Sequence, residues 1–269
     1  MNPAHDITVV CPTFNSADFL GPAFESILGQ TELPAALVVA DDGSEDNTVE
    51  VVSDYFRRCP FPTKLLRNSH RGPGAARNAG VAAAATEWIA FLDSDDFWLP
   101  SKLARIAAYS MSEPSVNLFC HNEEARQLDG RRQINDYGAG FRYDRPVLPQ
   151  FMRQNRLTPS GVVCRRELFE MVGGFDEDLM YAEDYDLWLK MAPHLRLRFV
   201  PEALGVYVER HGNLSSAALG KRMGALLSVK RRYRQRVGVG TYALVIARLW
   251  LAYAKGWIRS LQPFVKAID

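Results

Sequence analysis

The sequence predicts an α/β protein: a mainly parallel sheet flanked by helices, with a helical appendage at the C-terminal end. Two observations support this fold class. Short runs of β-branched and aliphatic residues alternate with helical patterns between residues 7 and about 110. A polar segment also follows each of the first four runs, which places four polar loops at the carboxyl ends of the strands. Open sheets of this kind bind their ligands at that edge.

The first strand is predicted at residues 7–11, and it leads through a turn at residues 12–15 into a helix from residue 18 to about residue 29. A second strand, residues 36–40, runs into an acidic segment and a second helix. Asp41 stands at the carboxyl end of this strand. Its carboxylate is therefore a candidate acceptor of hydrogen bonds from a base or a ribose.

The third strand, residues 64–67, leads to the glycine-containing segment 72–80, which precedes an alanine-rich helix. Gly72 and Gly74 allow the backbone to approach a ligand closely. Arg77 lies in the same segment, and its guanidinium has the charge and shape to neutralise a diphosphate. The segment is therefore predicted as the third loop of a shared cleft.

A fourth, strongly hydrophobic strand ends in three carboxylates, Asp93, Asp95 and Asp96. Carboxylate oxygens suit Mg²⁺ or Mn²⁺, which leave coordination positions open for substrate phosphates. The alternative is a solvated acidic turn that caps the helix beginning near residue 100. The three other loops favour the metal site, because together the four loops describe a site for a nucleoside diphosphate.

Several segments resemble the signature blocks of family 2 glycosyltransferases in their order and spacing. The first four are residues 9–15, 41–44, 76–80 and 91–96, and a fifth, residues 173–189, resembles the acceptor-side segment with its Glu-Asp pair. The resemblance covers about residues 6–215. It implies a GT-A fold with a nucleotide-sugar half (residues 1–97, the donor half), an acceptor half (residues 98–215), and transfer of a sugar with inversion from a nucleotide-diphosphate sugar.

The resemblance also implies roles for individual residues. Asp184 is implied as the general base, and Asp93 and Asp95 are implied as ligands of Mn²⁺ or Mg²⁺. Substrate contacts are implied for Pro12, Thr13, Asn15, Asp41, Arg77, Asp93, Ser94 and Glu183.

Helix geometry supports the choice of Asp184. A helix beginning near Glu183 places Asp184 on one face with Leu187 and Trp188, so that its carboxylate points inward. The helix amino terminus favours the ionised form, and partial burial raises the pKa and strengthens the base. The alternative is a capping carboxylate. Glu183 lies off this face and is expected to orient a neighbour or to contact the acceptor.

Residues 206–215 resemble the family's Tyr-Arg-x-His segment, which implies that His211 approaches the metal or the diphosphate. The match departs from the family pattern, because Val208 stands where the family usually has Arg and Arg210 directly precedes His211. A surface histidine in a polar loop is the alternative.

Residues 216–269 are predicted as a basic, amphipathic helical tail. Residues 210–269 contain 12 basic side chains and 1 acidic one, whereas residues 1–209 contain 20 and 30. Arg248, Lys255 and Arg259 interrupt the apolar stretch, which favours helices lying on the anionic inner leaflet over a spanning helix. Packing on the catalytic domain and an oligomer contact are the alternatives. Nucleic acid is disfavoured as a partner, because no recognised reading module accompanies the basic run.

The expected location is the cytoplasm, at the inner face of the cytoplasmic membrane. The four cysteines are widely spaced without a Cys-x-x-Cys pair, which favours a reducing compartment, and no secretory leader precedes residue 7. The resemblance points to a saccharide or lipid-linked saccharide acceptor in the synthesis of envelope polysaccharides such as lipopolysaccharide, capsule or exopolysaccharide. Residues 123–145 are predicted as a variable loop or small hairpin that faces this acceptor.

Two other functions compete with glycosyl transfer. A haloacid-dehalogenase-like phosphatase also places Asp-x-Asp after a hydrophobic strand, which would make Asp93 a nucleophile. That motif would normally open the domain, whereas three β-to-α units come first here. A non-catalytic membrane scaffold that binds nucleotide sugars is the second alternative, and the complete set of candidate side chains argues against it.

Overall fold

The computed structural model describes residues 6–210 and 219–265, with side chains of the second stretch described for residues 220–254. Within these residues the strands form one sheet, in the order β3-β2-β1-β4-β8-β6-β9-β5, with β7 paired to β6. The strands are β1 (Ile7–Thr13), β2 (Ala36–Asp41), β3 (Thr63–Arg67), β4 (Trp88–Phe91), β5 (Phe97–Trp98), β6 (Leu118–Arg126), β7 (Arg132–Asn135), β8 (Val162–Arg165) and β9 (Leu197–Val208).

Helices cover both faces of this sheet and form the C-terminal part of the described chain. They are α1 (Leu20–Leu28), α2 (Thr48–Phe56), α3 (Pro73–Ala82), α4 (Lys102–Ser112), α5 (Val147–Arg153), α6 (Arg166–Met171), α7 (Glu183–Met191), α8 (Leu219–Arg232), α9 (Arg234–Val237) and α10 (Val239–Val265). Short 3₁₀ turns lie at Pro159–Gly161 and Ala192–His194.

The first four strands are parallel, as predicted. β1 lies between β2 and β4, with Val9 opposite Leu37 on one side and Ala90 on the other. Every residue of β1 is buried, because helices cover both faces of this part of the sheet. The alternating faces of β1 and β4 divide the apolar side chains into two cores, one on each side of the sheet. The parallel arrangement brings the carboxyl ends of these strands to one edge.

The remaining strands make the sheet mixed. β8 enters beside β4 in antiparallel orientation, and β6 pairs antiparallel with β7 and β8 but parallel with β9. The β6–β9 register shifts around Asn122, where the ladder is irregular. The predicted α/β class is therefore confirmed, and its parallel part is the donor half.

Two of the predicted polar loops are shorter than expected. Pro12 and Thr13 lie inside β1, where they pair with Ala40 and Asp41, so the turn begins only at Phe14. The segment 72–80 is almost entirely helix α3, which begins at Pro73 because proline is compatible with the first helical turn. Arg77 therefore projects from the second turn of a helix, and only residues 68–72 form the loop after β3.

In the acceptor half, the predicted hairpin is present as β6 and β7, and the short helix α5 follows it. A 3₁₀ turn at Pro159–Gly161 then leads into β8. The turn places Ser160 directly beneath the loop that follows β4, which becomes important for the site.

The described part of the tail is helical, as predicted, and it packs on the catalytic domain. Val229 and Val245 are buried in the same core cluster as α5 and α7. The Lys230 ammonium donates to the carbonyl of Met152 (2.5 Å) and to the hydroxyl of Tyr185 (2.6 Å). One predicted alternative, packing on the domain, therefore holds for α8 and the middle of α10. None of the described helices combines the length and apolar character needed to cross a membrane.

Candidate functional site

The loops after β1 and β2 are locked together by hydrogen bonds around Asp41. Its buried carboxylate accepts from the hydroxyls of Thr13 (3.1 Å) and Ser44 (2.5 Å) and from the Ser44 N–H (3.0 Å). Asn15 adopts a positive φ of 46°, and its side-chain oxygen accepts from the N–H of Glu45 (2.9 Å). Asparagine tolerates this left-handed conformation better than most residues. Both loops are thus preorganised, whereas Pro12 is buried in the strand below them.

Asp42 organises the short loop after β3, a role that the sequence analysis missed although Asp42 adjoins Asp41. Its carboxylate accepts from the N–H groups of Arg71 (2.9 Å) and Gly72 (2.8 Å) and lies 2.9 Å from Nδ1 of His70. The His70 ring stacks on Phe14, with 4.1 Å between the ring centroids. Because 42% of Phe14 is exposed, its ring is accessible at the rim of the cleft.

The three carboxylates after β4 have different surroundings. The N–H of Asp93 donates to the Ser160 hydroxyl (3.1 Å), which in turn donates to Asp96 (2.7 Å). Asp96 is buried and also accepts from the N–H of Val208 (3.2 Å). Asp96 therefore anchors the loop from below and holds it to β8 and β9. Ser94 contacts Ser16, with 3.0 Å between the hydroxyl oxygens, and ties this loop to the one after β1.

Asp93 and Asp95 remain as candidate metal ligands. Burial and the neighbouring charge of Asp93 raise the pKa of Asp95, and the carboxylate of Asp95 accepts from Arg210 at 2.8 and 3.1 Å. Arg77 and Arg210 already supply positive charge to this pair of carboxylates, and the carboxylate oxygen atoms also suit a hard divalent cation. No group of three metal-ligating side chains occurs among residues 6–210 and 220–254. His211, the predicted third ligand, lies outside the described residues.

Arg77 joins the donor half to the acceptor half. Only 5% of it is exposed, and its two terminal nitrogens contact Asp93 (2.6 Å) and Glu183 (3.1 Å). Burial opposes its charge, but the two carboxylates outweigh burial and raise its pKa. The guanidinium is therefore already occupied by two protein carboxylates. Direct contact of Arg77 with a diphosphate stays a prediction; in this structure Arg77 forms an ion-pair bridge between Asp93 and Glu183.

Glu183 and Asp184 begin helix α7, as predicted. Glu183 is the more buried of the two, because it turns toward Arg77; Asp184 is half-buried and accepts from the Asn155 amide at 3.5 Å. Burial raises the pKa of Asp184, and burial together with the charge of Asp184 raises that of Glu183 to about 7. Of the two expected roles of Glu183, orienting a neighbour matches its contact with Arg77.

The assembled site has two sides. Asp41, Asp93 and Asp95 come from the carboxyl ends of parallel strands, and Asp184 faces them from α7, close enough for the charge of Asp93 to raise its pKa further. A carboxylate with a raised pKa is a better proton acceptor than an ordinary aspartate. The carboxylates on one side could hold a divalent cation, to which an anionic group could bind, and Asp184 on the other side could deprotonate a hydroxyl.

Known proteins resemble this chain in sequence. Residues 8–170 match the model of the family described as "Glycosyl transferase family 2". The succinoglycan biosynthesis protein ExoO of Rhizobium meliloti is 32% identical over 244 residues, covering 86% of this chain and 68% of that protein. The UDP-Glc:alpha-D-GlcNAc-diphosphoundecaprenol beta-1,3-glucosyltransferase WfgD of Escherichia coli is 28% identical over 189 residues, covering 69% of each chain. This chain spans about half the length of several other curated relatives.

Solved structures agree on the fold. The mannosyltransferase PcManGT of Pyrobaculum calidifontis, solved in complex with GDP-Man and Mn²⁺, superimposes with a TM-score of 0.66 at 20% identity. The superposition covers 95% of this chain and 80% of that one. The mixed sheet with its parallel donor half is thus the GT-A architecture. Because the family model covers the donor half and much of the acceptor half, this chain belongs to glycosyltransferase family 2.

Proposed function

We propose that this chain is a metal-dependent, inverting glycosyltransferase that moves a sugar from a nucleotide-diphosphate sugar to an acceptor hydroxyl. The observation that carries the proposal is the Arg77 bridge. By binding Asp93 and Glu183 at once, it holds the candidate metal carboxylates and the candidate base Asp184 on opposite sides of one cleft. The two sides match the two substrates of a single displacement.

The donor side suits a nucleotide sugar. The exposed ring of Phe14 offers a stacking surface for a base, and Asp41 lies at the adjoining strand end as an acceptor for ribose or base donors. Asp93 and Asp95 would hold Mn²⁺ or Mg²⁺. When bound, the metal supplies positive charge to the leaving diphosphate. The Mn²⁺ and GDP-Man bound by PcManGT support this donor class.

The acceptor side supplies the base. Asp184 takes the proton of an acceptor hydroxyl as that oxygen attacks the anomeric carbon, and the nucleoside diphosphate leaves from the opposite face. This displacement inverts the configuration at the anomeric carbon and requires no covalent enzyme intermediate. Asn155 contacts Asp184 and helps to hold its carboxylate in place, while Arg77 keeps Glu183 turned away.

The acceptor is a saccharide or a lipid-linked saccharide of a bacterial envelope polysaccharide. ExoO is named for succinoglycan biosynthesis, and WfgD for an acceptor on diphosphoundecaprenol. A peripheral contact with the inner face of the cytoplasmic membrane fits these acceptors, and the exposed side chains of Leu244, Trp250 and Leu251 on α10 provide an apolar surface for it.

Two earlier alternatives lose their support. A phosphatase with Asp93 as nucleophile is not supported, because the chain belongs to a transferase family. A non-catalytic scaffold would not need a base of raised pKa facing the metal carboxylates.

Thermal stabilisation by nucleotide sugars tests the proposal. UDP-, GDP-, dTDP- and CMP-sugars are added with and without Mn²⁺, and we expect one nucleotide class to raise the melting temperature in a metal-dependent way. Asp95→Ala should abolish the metal-dependent part, whereas Asp54→Ala, an exposed change on α2, should retain it. Stabilisation by no nucleotide, or by the same amount in the Asp95→Ala protein, would refute the proposal.

A further inference from the structure

A cavity of about 490 Å³ opens on the acceptor side, between the loop preceding α5, helix α5 itself and helix α10. Among the residues that the structure describes, none of its lining side chains is acidic. Five lining residues are arginines: Arg142, Arg145, Arg153, Arg156 and Arg248. We call this space the arginine cavity. Neither the donor site nor the proposed base uses it.

Two side chains fix the walls of the arginine cavity. The Gln150 amide accepts from the N–H of Arg142 (2.8 Å) and donates to the carbonyls of Arg142 (2.9 Å) and Pro146 (3.2 Å). On the other wall, Arg156 donates to the carbonyls of Tyr137 (3.1 Å) and Ala139 (2.7 Å). The cavity is therefore shaped by hydrogen bonds before a ligand enters, which lowers the ordering cost of binding.

Most of the positive charge in the cavity is uncompensated. Within the described residues, Arg153 and Arg248 form no ion pair, and Nε of the largely buried Arg156 has no acceptor. Burial lowers the pKa of Arg156, so a nearby anion would relieve its desolvation. In the part of the chain that the structure describes, Asp144 is the carboxylate that pairs with cavity arginines, at 3.0 Å from Arg142 and 3.9 Å from Arg145, and these are exposed contacts of little strength. The charge of Asp136 acts on Arg156 without forming an ion pair and only partly offsets its burial.

The cavity and the proposed base are connected by one segment of the chain. Asn155, which contacts Asp184 at 3.5 Å, stands in the chain between the cavity residues Gln154 and Arg156. The segment that follows α5 therefore contributes both to the cavity and to the surroundings of Asp184.

Helix α10 adds an apolar surface beside the cavity. Leu244, Arg248 and Leu251 are four and three residues apart, which puts them on one face of the helix. Leu244 is 60% exposed and Leu251 is 62% exposed. One helix face thus combines a guanidinium that lines the cavity with apolar side chains on either side of it, the pattern expected for a phosphate attached to a hydrocarbon chain.

We propose that the arginine cavity binds the phosphate or diphosphate of an acceptor whose saccharide is attached to an apolar carrier. This inference rests on the proposed function and deepens it, because it assigns the anionic part of the acceptor to a site of its own. Guanidinium groups bind phosphate oxygens in bidentate fashion, and several around one cavity can accommodate the charge of a diphosphate.

The test uses inorganic pyrophosphate as a probe, with EDTA present so that no metal site contributes, and calorimetry as the readout. We expect the wild-type protein to bind pyrophosphate and the double variant Arg153→Gln/Arg248→Gln to bind it at least about tenfold more weakly. Arg131→Gln/Arg132→Gln, on the exposed hairpin of β6 and β7, is the matched control and should bind like wild type. Equal affinity in all three proteins would overturn the proposal.

Two further measurements separate the possible sources of binding. Displacement of pyrophosphate by UDP or GDP would place the probe in the donor site and overturn the proposal. Attachment to phosphatidylglycerol vesicles through Arg153 and Arg248, without binding of pyrophosphate, would assign the cavity to a membrane headgroup and overturn the acceptor assignment.

Donor binding distinguishes a failure here from a failure of the proposed function. The Arg153→Gln/Arg248→Gln protein should be stabilised by nucleotide sugar and Mn²⁺ as strongly as wild type. If wild type shows no such stabilisation, the proposed function and the acceptor assignment fail together. If nucleotide sugar and Mn²⁺ stabilise the wild type, and the double variant retains pyrophosphate binding, only the arginine cavity proposal fails.

Discussion

In the donor half, strands β1 to β4 all run parallel to one another, whereas in the acceptor half parallel and antiparallel pairs are mixed. Val9 lies opposite Leu37 and Ala90 in parallel strands, but Cys120 lies opposite Val162 in an antiparallel strand and opposite Phe199 in a parallel one. The parallel strands bring the donor loops to one edge, where hydrogen bonds such as that between Asp41 and Ser44 hold them. The nucleotide side is thus a uniform parallel layer, and the acceptor side combines both strand orientations.

Both halves bury charged side chains, but Asp41 of the donor half accepts hydrogen bonds from its neighbours, whereas a buried lysine of the acceptor half does not share this arrangement. Lys102 is fully buried, lies 3.1 Å from the centroid of the Trp98 ring, and has no hydrogen-bond acceptor within the described residues. Burial raises the pKa of Glu123, in the adjacent strand β6, to about 7. Burying charged groups costs free energy, so these two residues lower the stability of the acceptor half. Arg77 contacts carboxylates of both halves, so substitutions at and around Arg77 test how the two halves depend on each other.

Asp184→Asn should produce the largest effect, because it removes the acceptor-side base and leaves the donor frame intact. We expect the transfer rate to fall by roughly 10² to 10⁴-fold with donor affinity unchanged. Rate and donor binding are measured on the same protein, with Asp178→Asn, an exposed change in the preceding loop, as control. Transfer at the parental rate would show that the base assignment is wrong.

Arg77→Met removes the ion-pair bridge between the donor half and the acceptor half. Two carboxylates, Asp93 and Glu183, lose their shared cation, and we expect the free energy of unfolding to fall by about 3 to 5 kcal/mol in urea titrations. Arg58→Met removes an exposed pair with Glu25 and should have a much smaller effect, because water screens exposed ion pairs. A similar loss of unfolding free energy in both variants would show that the buried bridge stabilises the protein no more than an exposed ion pair does.

The pH dependence of stability tests Glu183, the acceptor-side partner of Arg77. Its pKa is raised from 4.5 to about 7, so the folded protein retains a proton that the unfolded chain releases between these values. The free energy of unfolding should therefore fall as the pH rises from about 4.5 to 7, by an amount on the order of 2 kcal/mol from this group.

Glu183→Gln should flatten that decline, because the amide does not titrate. Urea titrations at pH 5 and pH 8 measure the difference, and Glu170→Gln, at an exposed pair on α6, is the control. An unchanged slope in the Glu183→Gln protein would assign the pH dependence to other groups.

Two glycine substitutions give the smallest effects and compare packing in the catalytic frame and the tail. In Gly80→Ala the added Cβ would lie 2.4 Å from a methyl of Val10, so α3 must move from β1 and we expect a loss of roughly 1 to 3 kcal/mol. Gly224→Ala, on α8, meets no atom within 4 Å and should stabilise by about 0.5 to 1 kcal/mol. Chemical denaturation measures both, and a loss in the Gly224→Ala protein would contradict the open packing of α8.

Sequence alone predicted the donor half because its signals are local. Strand periodicity, the carboxylates after β2 and β4, and the expected parallel order of the strands predicted that Asp41, Asp93 and Asp95 lie at one edge of the sheet. The start of α7 at Glu183 followed from the same kind of pattern. These predictions depended on residues separated by a few positions in the chain.

The tertiary structure decided which of these charged and polar groups form ion pairs and hydrogen bonds with one another. It paired Arg77 with Asp93 and Glu183 where sequence favoured a diphosphate contact, and it placed Ser160 beneath the loop after β4. It also assembled the arginine cavity from α5, α10 and the loop before α5. A buried charge must find its partner in three dimensions, and periodicity along the chain carries no information about a partner that is distant in sequence.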